Sequence, residues 1–95
     1  MNISVIVNFE TKVSKTEEFV VILNSVKSEL PKVEGCIAVD IFTDISSTNE
    51  FTLLETWQSK ELHQAHLSRI NKDGTWEMIA SHLIQDPKVN YFSSL

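Results

Sequence analysis

Apolar residues in this chain switch between a spacing of two and a spacing of about 3.6, and the order of those switches constrains the fold more than any motif. Ile3, Val5, Val7 and Phe9 alternate with Ser4, Ile6 and Asn8, the pattern of a strand with two unlike faces. Phe19, Ile22, Leu23, Val26 and Leu30 then recur at helical spacing until Pro31 stops the helix. Ahead of them, Ser14-Lys15-Thr16-Glu17 fits a capping box, in which serine and glutamate each satisfy a free backbone donor. Glu34-Gly35 supplies a turn before a β-rich stretch, Cys36 to Thr43. A polar loop, Asp44 to Glu50, joins it to a third strand, Phe51 to Trp57. Ser59 opens a second helix running to about Ile70. Lys72-Asp73-Gly74 interrupts it, and Trp76, Ile79, Ala80, Leu83 and Ile84 form a further amphipathic segment. After Asp86-Pro87, Val89 to Phe92 reads as a short last strand.

Strand, helix, strand, strand, helix, strand is the ferredoxin-like split βαβ order. The expected fold class is α+β, with a four-stranded antiparallel sheet covered by helices on one face, as a single domain over residues 1–95. Such a sheet leaves its other face bare. The apolar odd positions of the first strand are expected to bury that face against a second copy, giving a homodimer through sheet faces. A chain of 95 residues has only a small core, which makes pairing a reasonable source of stability.

Charge and composition narrow the partners. A net charge of -5 without any Lys/Arg cluster argues against nucleic acid, whose binding depends on neutralising phosphates. The single cysteine, Cys36, excludes an internal disulfide framework and suits a reducing compartment. The N-terminus MNISVIVNF lacks a basic n-region and a small-residue cleavage site. No apolar run approaches the roughly 18 residues of a membrane span. A soluble, cytoplasmic protein without a membrane partner is expected.

Chemistry concentrates between Phe51 and His66. Glu55 and Trp57 share one strand face by the period of two, while His63 and His66 lie one turn apart on the following helix. Glu55 could act as a general base in a pocket, but a carboxylate at such a turn more often ties down a loop or helix end. Trp57 could be a flat wall for an aromatic ligand or a core anchor, and the two are compatible. His66 is the candidate for proton transfer, because imidazole titrates near neutral pH. His63 reads as an exposed neighbour; a zinc pair with His66 would need further ligands, and none is suitably spaced. His82 reads as a surface residue. Cys36 has no basic neighbour in sequence to lower its pKa and reads as a buried, inert thiol. Asn8 interrupts an otherwise apolar strand; it could hold a substrate oxygen or be an amide satisfied by neighbouring backbone. With only Gly35 and Gly74, the chain has no glycine-rich phosphate cradle.

Glu34-Gly35-Cys36, Phe51, the Glu55-Thr56-Trp57-Gln58-Ser59 run, and Leu62 with His66 carry a further likeness. In order and spacing the chain resembles the antibiotic-biosynthesis monooxygenase superfamily, the small dimeric α+β barrels that include anthrone and quinol monooxygenases. The resemblance implies two protomers packed sheet to sheet, each with an apolar pocket between sheet and helices. It also implies no metal, flavin or nicotinamide cofactor, with a small aromatic molecule and O2 as the reacting partners. By resemblance Asn8 and His66 are catalytic, while Trp57 and Trp76 bind substrate. A non-catalytic binding module is the alternative, followed by an isomerase-like enzyme of the autoinducer branch acting on a phosphorylated sugar derivative. Haem degradation fits poorly, because His66 stands where that branch is expected to carry tryptophan, and Trp76 falls near its expected histidine.

Overall fold

The computed structural model describes residues 1–95. Strand β1 (Ile3–Glu10) leads through a 3-10 turn into helix α1 (Thr16–Glu29), and a second such turn at Leu30–Lys32 leads to β2 (Cys36–Thr43). Strand β3 (Glu50–Trp57) precedes helix α2 (Lys60–Lys72), short helix α3 (Thr75–Ala80) and strand β4 (Lys88–Phe92). The four strands lie in the order β2-β3-β1-β4, and every pairing is antiparallel. This is the ferredoxin-like α+β fold that the hydrophobic spacing predicts.

Local chemistry explains most element ends. Ser59 caps α2, its hydroxyl accepting from the Leu62 backbone N–H at 3.2 Å. The capping box expected at Ser14 to Glu17 does not form. Ser14 is taken up in the 3-10 turn, and α1 begins at Thr16 behind Lys15, which makes no side-chain cap. Gly35 has φ +91°, and a Cβ placed there would lie 2.7 Å from Leu62 Cβ. The turn into β2 therefore requires glycine twice over, for backbone angle and for the seat of α2.

Period-two alternation divides the sheet. Val5, Val7 and Phe9 of β1 share a face with Phe51, Leu53, Glu55 and Trp57 of β3, and with Val39 of β2. All of these are buried. Phe19 of α1, fully buried, packs on this face with ring centroids 5.3 Å from Phe9 and 5.6 Å from Phe51. The odd positions of β1 thus face the chain's own helices. This corrects the expectation that they form a subunit interface. The bare face carries the even positions instead: Ile6, Asn8, Thr52 and Leu54, with Phe42 at 52% and Phe92 at 48% exposure.

Candidate functional site

Between the inner face of the sheet and the helices lies a cavity of about 550 Å³. Val7, Phe9, Leu53 and Glu55 make its floor, α1 contributes Ile22 and Val26, and α2 and α3 contribute Leu67, Ile70, Trp76 and Ile79. Exposed Ser25, Glu29 and Asn71 stand at its rim. His63 and His66 complete one wall. The four α2 residues His63, His66, Leu67 and Ile70 are spaced i, i+3, i+4, i+7, so one helical stripe carries both imidazoles inward.

Glu55 anchors a polar cluster at this end. The residue is 5% exposed, and its Oε1 accepts from Trp57 Nε1 at 2.8 Å. His63 Nε2 lies 3.8 Å from the same oxygen, and His63 Nδ1 is 2.7 Å from the Tyr91 hydroxyl on β4. Burial raises the Glu55 pKa, with the Trp57 hydrogen bond pulling the other way. Burial, and secondarily the charge of His66, pushes His63 down to about 4. His63 is therefore neutral at pH 7, and its contact with Glu55 is not an ion pair. No buried polar side-chain atom in the protein lacks a partner.

His66 is half-buried and lines the cavity, its ring 5.5 Å from that of Trp57 at an angle of 34°. Burial lowers its pKa, Arg69 lowers it further, and Asp73 opposes them. The outcome is a neutral imidazole able to accept a proton. Trp76 lines the cavity from α3.

The other expected site residues sit elsewhere. Asn8 points to the bare face, where its Oδ1 accepts from Thr52 Oγ1 at 2.6 Å. It is one residue out of phase with Val7 and Phe9, and one residue in a strand means the opposite face. Asn8 and His66 therefore share no cavity. Trp57 is fully buried and does not line the cavity; it packs beneath both α2 histidines and fixes Glu55. His63, expected at the surface, is 2% exposed, because its helical stripe faces the sheet. His82 is also no free surface group: Nδ1 meets the Met78 carbonyl at 2.9 Å, Nε2 lies 3.3 Å from Glu18, and the ring packs near Phe19. Cys36 is half-buried, and burial and the nearby Glu55 raise its pKa, so the thiol stays protonated.

The stripe on α2 was the sequence signal for His63. Tyr91 had a weaker one, its parity with Val89 on β4. No group of three or more His, Cys, Asp and Glu side chains is placed to hold a metal ion. No helix is long and apolar enough to cross a membrane.

A ferredoxin-like sheet under helices, with an apolar cavity ending in two imidazoles and a carboxyl, defines an α+β domain with a cavity of small-molecule size. The chain belongs to the antibiotic biosynthesis monooxygenase family, whose model matches residues 2–69. Solved structures agree along the whole chain. A putative antibiotic biosynthesis monooxygenase from Nitrosomonas europaea is 19% identical with TM-score 0.86, covering 99% of this chain and 90% of its own. A conserved protein from Methanosarcina mazei Go1 is 21% identical with TM-score 0.85, covering 100% of this chain and 94% of its own. SnoaB from Streptomyces nogalater, a cofactor-independent oxygenase solved as a point mutant, is 9% identical with TM-score 0.80, covering 98% of this chain and 92% of its own. At these identities the likeness concerns fold. Among curated proteins nothing matches.

Proposed function

We propose that this protein is a cofactor-independent monooxygenase that oxidises a small aromatic quinol or polyphenol-like molecule with O2. The observation that carries the reading is the cavity: about 550 Å³, apolar on most sides, walled by Trp76 and bordered by the neutral imidazole of His66. The family membership agrees with it. In this mechanism the flat ring lies against Trp76, and His66 takes a phenolic proton. The resulting anion gives one electron to O2, and the substrate radical and superoxide recombine at carbon. The apolar walls limit the water that can reach and quench these species.

Asn8 has no part in this chemistry, and Trp57 acts from behind the wall. No cavity-lining residue is lysine or arginine, which removes the support that a phosphorylated substrate would need. The bare sheet face, with Phe42 and Phe92 half-exposed, is the surface through which we expect two copies to pair. A lone free Cys36 suits a cytoplasmic home.

Oxygen uptake by metal-free protein, measured with a panel of hydroquinones and anthrones, tests the reading. Loss of the general base in His66→Ala should slow uptake by about 100-fold or more. Equal uptake by the variant would remove His66 from its role. Ligand-dependent thermal stabilisation without uptake, with the ligand chemically unchanged, would make the protein a binding module.

A further inference from the structure

The proposed chemistry leaves one cavity group unused. Glu55 sits on the sheet floor with Oε1 committed to the Trp57 indole, while Oε2 has no hydrogen-bond partner in the protein. Since no buried side-chain oxygen is left unpaired, Oε2 is open, and the cavity that Glu55 lines is the space it opens to. No lysine or arginine lines that space to hold a carboxylate there. Trp57 packs with 0% exposure and cannot swing away, so the carboxyl is fixed in orientation. A carboxylic acid kept neutral by an apolar site can donate a hydrogen bond to an enolate oxygen.

We propose that Glu55 donates a hydrogen bond from Oε2 to the ketone oxygen of an enolisable aryl ketone of the anthrone kind, and stabilises the enolate formed when His66 removes the proton. This deepens the oxygenase reading and rests on it for the role of His66. The substrate is narrowed to the keto tautomer of a phenol, so the same anion forms by loss of a C–H rather than an O–H proton. In the step, a C–H bond conjugated with the carbonyl breaks and its proton passes to a ring nitrogen of His66. The electron pair moves through the π system to the ketone oxygen, which takes on negative charge against the Glu55 hydroxyl. Nothing is oxidised until O2 reacts afterwards. The cavity thus pairs a donor on the sheet with an acceptor on α2. Catalysis follows because the hydrogen bond strengthens as charge develops on the oxygen.

The titratable groups around Glu55 are His63 on α2, Tyr91 on β4 and Cys36 on β2, while β1 presents Val5. His66 lines the same cavity and has Arg69 and Asp73 as its charged neighbours. Burial and the carboxylate raise Tyr91 above 10.0 and Cys36 above 9.0. Ionisation of Glu55 should accordingly give the first alkaline loss of rate, and protonation of His66 the acid loss.

Because the step precedes oxygen, it can be followed without it. Anthrone is incubated with wild-type protein in deuterated buffer under argon, and loss of its methylene signal is followed by NMR. Wild type should exchange well above the buffer rate. Glu55→Leu should fall about 100-fold, the cost of one oxyanion donor. Leucine also strips Trp57 of its acceptor, so Glu55→Gln is the second variant: it keeps that contact and a weaker donor. It should lose about 10-fold and no longer show the alkaline loss that wild type shows. Folded variants that exchange at the wild-type rate, or a glutamine variant with the same alkaline limb, overturn the proposal. So does a wild type that does not exchange anthrone at all. Exchange that depends on Glu55 with no oxygen uptake in air would instead support Glu55 and overturn the oxygenase reading.

Discussion

The two faces of the sheet are built from alternate residues of the same strands and end in opposite environments. On the inner face, Val5, Val7, Leu53 and Trp57 are buried beneath the helices, and the one acid among them, Glu55, is held by an indole. On the outer face, Ile6, Leu54, Phe42 and Phe92 stand among Asn8, Thr52 and Asp40, with no helix above them. Both faces contain apolar side chains. What separates them is the character of their polar residues. Inside, polar groups are few, and Glu55 and His63 are held by Trp57 and Tyr91; outside, they are short and more exposed, and Asn8 pairs with Thr52 across neighbouring strands. An apolar face alone does not say whether its partner is a helix of the same chain or a second copy.

The strongest way to break this contrast is at its most buried point. Trp57→Ala removes a fully buried indole and leaves Glu55 Oε1 without a donor. Truncating a buried aromatic costs about 3–5 kcal/mol, a large share of the stability of a chain this size. Urea unfolding should show that loss as a lower midpoint. A change below about 1 kcal/mol would mean that the inner face is not the core.

The outer face gives the next effect. Leu54→Arg places a charge in the middle of the bare face, opposite Ile6 and Asp40. If the faces pair as proposed, disrupting a central apolar contact costs about 2 kcal/mol or more, roughly a 30-fold weaker dimer. Sedimentation velocity across a dilution series should show monomer where wild type shows dimer. The same mutation in a face that stays in water would shift stability by no more than about 0.5 kcal/mol.

These two outcomes bear on what could be read in the chain beforehand. Element order was legible because strand and helix periods differ sharply, and Ser59 marked the start of α2 with a real cap. Which sheet face meets the helices was not. Ile3, Val5, Val7 and Phe9 form an apolar row that suits either a core or a dimer, and the row alone does not choose between them. Asn8 is set at the pocket only by the resemblance, whereas its parity with Ser4 and Ile6 puts it on the face opposite Val7 and Phe9. The α2 stripe of His63, His66, Leu67 and Ile70 was legible, yet separating its two histidines contradicted the spacing. Tyr91 could not have been paired with His63 from sequence, because that contact spans 28 positions and depends on β4 lying beside β1.

A smaller effect sharpens the polar side of the inner face. The folded-state pKa of His63 is depressed from 6.5 to about 4, so its contribution to stability is present above 6.5 and is lost as pH falls through about 4. Glu55 has the opposite sign. Its pKa is raised from 4.5, so its contribution is full below 4.5 and is lost as pH rises through the folded value. The acid loss of melting temperature in wild type should therefore follow His63, partly offset by Glu55. His63→Gln, which can still bond Tyr91 but does not titrate, should flatten that acid limb. An unchanged limb would place the acid sensitivity elsewhere.

The smallest expected effect tests the phase of β1 directly. Asn8→Ala removes one hydrogen bond, at 2.6 Å to Thr52, from an exposed position on the outer face. Both partners can turn to water, so the loss should be no more than about 0.5 kcal/mol by thermal unfolding. The sheet lies between Asn8 and the cavity, so oxygen uptake or anthrone exchange should stay within about twofold of wild type, the rate equivalent of that energy. A loss of about 100-fold in a folded variant would require the outer face to border a reacting ligand. In that case the contrast between the faces would hold for packing but not for chemistry.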